Sequence, residues 1–153
     1  MKIVFVIDSW NDGNGGVVAT KRIVHGLIDR GHQVGIVSTG THTGNYEFHE
    51  VPGFAPPFVR ESLEKMNFLF ARGKKSVLRK AFEGADLVQV QFPFFIARNA
   101  VRVAKQMGCT VTGACHVQPQ NVISAMGKEN PGMEKMLSAF FDFCLYNLSL
   151  IHI

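Results

Sequence analysis

The chain has 153 residues, enough for one domain with a sizeable core and too few for two full domains. It is 46% hydrophobic and 18% charged, with 15 glycines and 6 prolines, an ordinary globular mixture that excludes a disordered, collagenous or low-complexity chain. Sixteen Lys and Arg against twelve Asp and Glu give a net charge of +4, and no apolar run reaches the roughly 18 residues a membrane-spanning helix needs.

The first residues form a continuous apolar run, 2–8, that stops at Asp8. It carries one positive charge and no small-residue cleavage site, so it reads as a buried parallel strand rather than a secretory leader. Residues 9–16 are rich in turn formers and predict a loop. Residues 17–30 place Val17, Val24, Leu27 and Ile28 at helical spacing, with Gly31 as the stop. Residues 33–39 predict a second strand. Residues 40–60 are loop-like, with a short strand near 46–51, and 61–71 are ambiguous between helix and irregular structure. Residues 74–83 read as a short basic helix closed by Gly84. A strand over 86–91 leads into a Phe-Pro-Phe-Phe turn. The helix over 95–107 carries Ile96, Ala97, Ala100, Val101, Ala104 and Met107 on one face and ends at Gly108. A strand over 109–116 and a helix over 132–147 complete the order. Alternating strands and helices predict an α/β fold, a Rossmann-like open parallel sheet with helices on both faces. Such sheets bind ligands beyond the carboxyl ends of their strands, which directs attention to the segments after Asp8, Gln91 and His116.

Three cysteines, Cys109, Cys115 and Cys144, are an odd number without C-x-x-C spacing. They argue against a disulfide framework or zinc site and fit a reducing cytoplasm. No histidine pair has metal-ligand spacing, so no metal is expected. The positive charge is local. Arg60, Lys65, Arg72, Lys74, Lys75, Arg79 and Lys80 outnumber Glu61 and Glu64 within 60–80, a surplus of +5 that leaves about −1 for the remainder. That patch is either a solvated face or a surface for an anionic partner such as lipid head groups.

Three constellations bear on chemistry. Asp12-Gly13-Asn14-Gly15-Gly16-Val17 leads into a helix, where unpaired N–H groups and the helix dipole favour an anion. It is neither a Walker loop nor a good dinucleotide fingerprint, because Val18 takes the last glycine position and no acid follows the second strand. Cys115-His116-Val117-Gln118-Pro119-Gln120-Asn121 puts a histidine and three amides at a strand's carboxyl end. The histidine is either structural or a polar contact to a reacting hydroxyl, and the amides suit sugar hydroxyls. Gln91-Phe92-Pro93-Phe94-Phe95 is core or an apolar platform.

These segments resemble the N-terminal domain of glycosyltransferase family 4, retaining sugar-nucleotide enzymes of the GT-B fold. The resemblance runs to about Asn147. It covers the first strand and Gly-Gly-Val helix start, Asp29-Arg-Gly-His-Gln-Val34, Ala85-Asp-Leu-Val-Gln-Val-Gln-Phe-Pro-Phe94, 100–108 and 111–121. The last is the most specific, with Gln120 where family members often carry glutamate. The resemblance implies a catalytic contact at His116 and substrate binding by Gly15, Gly16, Gln118 and Asn121. Gly15 and Gly16 would form a loop beside the donor phosphates. It implies a nucleotide-sugar donor, a UDP-sugar by expectation, with no cofactor or metal. The acceptor would be a lipid or glycan, diacylglycerol being one such lipid, and nucleic acid is not an expected partner. Residues 60–80 would dock on an anionic membrane, giving a cytoplasmic enzyme peripheral to the inner face.

In this family a second Rossmann-like domain holds most of the donor through a Glu-x7-Glu motif, and no two glutamates here are eight apart. The expected layout is an acceptor-side domain over 1–147 with the donor domain missing, inactive by itself. Residues 148–153, Leu-Ser-Leu-Ile-His-Ile, resemble a translated transposon adapter, with a sixth strand as the alternative. A stand-alone nucleotide-sugar-binding module and half of a dinucleotide-dependent oxidoreductase are the rival readings.

Overall fold

In the computed structural model the first apolar run is a strand, β1 (Lys2–Ser9), buried from Ile3 onward. The structure describes residues 1–10, 15–40, 42, 44–57, 60–65, 67–114, 123 and 131–145. The elements that follow are α1 (Gly15–Ile28), β2 (Gln33–Thr39), β3 (Glu47–Glu50), β4 (Gly53–Phe54), α2 (Arg60–Lys65), β5 (Phe70–Ala71) and α3 (Lys75–Ala81). Then come β6 (Leu87–Val90), α4 (Phe95–Gln106), β7 (Thr110–Gly113) and α5 (Pro131–Leu145).

Five strands form one parallel sheet in the order β3-β2-β1-β6-β7. β1 lies in the middle, so both of its faces are covered. Val4 and Val6 join the core formed with Leu78 and Ala81 of α3 and Ile96, Ala100 and Val103 of α4. Ile3, Phe5 and Ile7 join the opposite core with Val17 and Val24 of α1 and Phe141 of α5. This double burial explains why the strand is uniformly apolar rather than alternating. The fold class expected from the sequence is the one observed.

Packing rather than side-chain capping holds α3 and α4 in place. Neither Lys74 before α3 nor Phe94 before α4 supplies a side-chain cap. Each fully buried side chain such as Leu78 or Ile96 contributes about 1.5–3 kcal/mol, more than the ~1 kcal/mol of a typical cap. The stops are local. Gly31 and Gly108 adopt φ of 79° and 74°, left-handed values that suit glycine after a helix.

Three expectations need correcting. α1 begins at Gly15, so Gly15 and Gly16 are its first turn and not part of a preceding loop. Glycine's low helix propensity is outweighed there by burial of Val17, Thr20 and Val24 along the same helix. The ambiguous 61–71 segment divides into α2 and β5. β5 pairs antiparallel with β4, Gly53 opposite Ala71 and Phe54 opposite Phe70, in a small ribbon outside the main sheet. Strands of two residues have no periodicity to read. The strands expected at 86–91 and 109–116 are shorter, Leu87–Val90 and Thr110–Gly113. Residues 148–153, expected to be a foreign tail with a sixth strand as the alternative, lie outside the described residues.

Candidate functional site

The chain leaves β1 for β2 on one side, while β6 leads to β7 on the other. Strand order therefore reverses between β1 and β6, the place where open α/β sheets form a ligand crevice at their carboxyl ends. The side chains gathered there are polar and buried: Asp8 and Ser9 from β1, Ser38 and Thr39 from β2, and Gln91 just after β6.

Asp8 is fully buried at the end of the central strand. Its Oδ1 accepts a hydrogen bond from the Ala71 N–H at 3.0 Å, and its backbone carbonyl accepts one from the Thr39 hydroxyl at 2.9 Å. Burial pushes the carboxyl up to about 8, against the lowering effect of the Ala71 N–H. At neutral pH it is a neutral acid that can donate a proton in a hydrogen bond. Its Oδ2 and the hydroxyls of Ser9 and Ser38 meet no hydrogen-bond partner among the described residues. The Cys144 thiol on α5 is pushed up to about 11, first by burial and then by the Asp8 charge, with Arg98 opposing. Cys109 and Cys144 are both free thiols.

The first turn of α1 contains no acidic residue. The Gly16 carbonyl is taken by the Thr20 hydroxyl at 2.7 Å. A Cβ on Gly15 would meet nothing within 4 Å. Trp10 continues from β1, buried, and donates its indole N–H to the Tyr46 hydroxyl at 3.1 Å, with Lys21 of α1 5.3 Å from its ring centre. His116, Gln118 and Asn121 lie outside the described residues, as does Cys115. Of the sequence-predicted site, Gly15 and Gly16 alone are placed. Of the buried polar set, the sequence singles out Gln91 and the segment after Asp8, whereas Ser9, Ser38 and Thr39 belong to no motif. Asp8 is legible only as an acid ending an apolar strand.

The Phe-Pro-Phe-Phe turn serves two roles. Phe92 and Phe94 are core, whereas Phe95 opens α4 with 42% of its surface exposed. The basic stretch 60–80 is not one helix face. Lys65 pairs with Glu61 on α2 at 2.8 Å, Arg72 and Lys74 follow β5, and Lys75, Arg79 and Lys80 lie exposed on α3. α4, packed beside α3, adds Arg98, Arg102 and Lys105 and contains no carboxylate.

Two cavities flank the sheet. One of about 400 Å³ opens at the amino end, where Lys2 and Glu47 on its wall pair with each other at 3.5 Å. The other, about 330 Å³, lies at the carboxyl end against the β4–β5 ribbon.

Comparison with protein families matches residues 13–148 to Glycosyltransferase Family 4. The chain belongs to glycosyltransferase family 4. This family 4 domain has the Rossmann-like fold of one half of a GT-B enzyme. A solved structure of a ugt transferase from Siraitia grosvenorii in complex with UDP superposes with a TM-score of 0.50 at 12% identity, over 96% of this chain. The chain spans 39% of that protein's length. Among curated proteins no match is found.

Proposed function

We propose that this family 4 domain is the acceptor-side half of a retaining enzyme that moves a hexose from a UDP-sugar to an acceptor, with a membrane lipid as the acceptor class. The family match over residues 13–148 carries the reading. The crevice between β1 and β6 supports it, as does the UDP held by the similarly folded ugt transferase. In this reading the N-terminus of α1 at Gly15 and Gly16 faces the donor phosphates, where N–H groups and the helix dipole stabilise negative charge without a metal. His116 contacts the transferred sugar, and Gln118 and Asn121 hold acceptor hydroxyls. A second domain supplies the remaining donor contacts. The exposed cations of 60–80 rest on the anionic inner face of the cytoplasmic membrane.

The test is release of UDP from UDP-sugars, with NMR of the product's anomeric centre. The 153-residue chain is expected to be inactive, and an enzyme carrying it as an N-terminal half to transfer with retention. In that enzyme His116→Ala should lower kcat/KM at least about tenfold. Turnover by the 153-residue chain alone, an inverted product or unchanged kinetics in the variant would each contradict the corresponding part.

A further inference from the structure

The carboxyl-end cavity of about 330 Å³ is within the size range of small-ligand sites. Ala71, part of its lining, gives its N–H to Asp8 and so ties the cavity to the end of β1. Its opposite wall is the start of α4. The turn between these walls is pressed tight at Gly73, where a Cβ would come within 3.0 Å of Ile96 Cγ1 and 3.2 Å of Leu78 Cδ1. The Asn99 side-chain amide donates to the Gly73 carbonyl at 3.3 Å and fixes that turn to α4.

The chemistry of the lining is two-sided. Phe54 and Phe95 stand with ring centres 5.5 Å apart and supply an apolar half. Arg72 and Lys74 supply a cationic half, and the Arg72 guanidinium carbon sits 4.8 Å from the Phe54 ring centre, which orients it. Among the described residues no carboxylate lines the cavity. A solvated cationic face needs no exposed aromatic ring beside it, and an apolar pocket needs no pair of cations.

We infer that this cavity receives an acceptor that joins an anionic group, a phosphate or carboxylate, to an apolar body, with the anion on Arg72 and Lys74 and the apolar part across Phe54 and Phe95. The inference rests on the acceptor-side reading above and sharpens it: the acceptor is acidic, not a neutral lipid such as diacylglycerol.

Calorimetric titration of the purified protein with dodecyl phosphate, below its micelle concentration, tests this against neutral dodecyl glycerol and inorganic phosphate. Dodecyl phosphate should bind at least about tenfold tighter than either, and Arg72→Gln with Lys74→Gln should cost about tenfold, the scale of a charge-assisted contact. Both residues are exposed, so circular dichroism should show the fold intact. Arg102→Gln with Lys105→Gln removes the same charge from another element, α4, and should change nothing. Phe95→Ser should weaken dodecyl phosphate and leave inorganic phosphate alone. Equal binding of the neutral compound, equal loss in the two charge variants, or no loss in the Arg72 and Lys74 variant would overturn the inference. Transfer to a neutral lipid by an enzyme that ignores dodecyl phosphate would sink this inference and leave glycosyl transfer standing. Binding through Arg72 and Lys74 in an enzyme that turns over no UDP-sugar would do the reverse.

Discussion

Asp8 is a carboxylic acid placed where water does not reach, and that placement sets a pH dependence. The folded chain keeps its proton up to about pH 8, while an ordinary aspartate releases it near 3.8. The folded state therefore binds more protons between these values. The stability that Asp8 contributes is complete below about pH 4 and is lost as pH rises through 8. The limiting slope for one proton is about 1.4 kcal/mol per pH unit. Asp8→Asn keeps an acceptor for the Ala71 N–H and cannot ionise. Its denaturation midpoint should fall less than that of the parent between pH 5 and pH 8, and it should be the more stable protein at pH 8. Burial of His49 lowers its pKa and acts in the opposite direction below about 6.5, so the difference between parent and variant isolates Asp8. Identical pH profiles would show that the carboxyl is ionised in the fold. Sequence reading saw Asp8 as the end of an apolar run. Its environment was hidden because Ala71, which binds it, lies 63 positions along the chain.

At the scale of elements, periodicity and burial decided what was legible. β1, β2 and α4 carry long apolar patterns, and their predicted extents lie within two residues of those observed. The β4–β5 ribbon has no pattern of its own and exists through its contacts. Gly53 lies against Thr39, Phe70 packs edge-on to Phe68 and Phe94, and Ala71 is tied to Asp8. The weak point of this arrangement is the exit turn at Gly73. Gly73→Ala drives a methyl into the packed side chains of Ile96 and Leu78 and should destabilise the fold by about 1–3 kcal/mol, the usual cost of overpacking. Thermal denaturation checks it, and an unchanged Tm would mean that the turn relaxes freely. Gly15→Ala is the contrast. It adds a methyl where nothing lies within 4 Å, on a helical residue, and should leave stability equal or slightly higher.

For the molecule as a whole, charge is distributed more unevenly than the net +4 suggests. The sequence showed a basic stretch at 60–80. Folding breaks it across two helices and a ribbon, and brings α4 alongside with three further cations from 98–105, too distant in sequence to be counted with it. If this side rests on an anionic membrane, each exposed cation contributes about 1 kcal/mol. Replacing Lys75, Arg79 and Lys80 by Gln should then lower partitioning onto phosphatidylglycerol vesicles on the order of a hundredfold. Phosphatidylcholine vesicles should bind neither protein, and raised salt should release the parent. Equal sedimentation of parent and variant would make this a solvated face. The buried polar set was less legible than the fold: His116, Gln118 and Asn121 form a sequence motif, whereas Asp8, Ser38 and Gln91 come together only when strands from three parts of the chain align.

Trp10 is the chain's one tryptophan, and it sits at the end of β1 with its indole bound to Tyr46 and a lysine above its ring. Excitation at the red edge of protein absorbance therefore addresses a single chromophore. Its emission maximum should be blue-shifted by burial, and any ligand that displaces Tyr46 or Lys21 changes its intensity. The domain thus carries an intrinsic optical probe that reports on Tyr46 and Lys21, and changes there can be followed in real time without a dye.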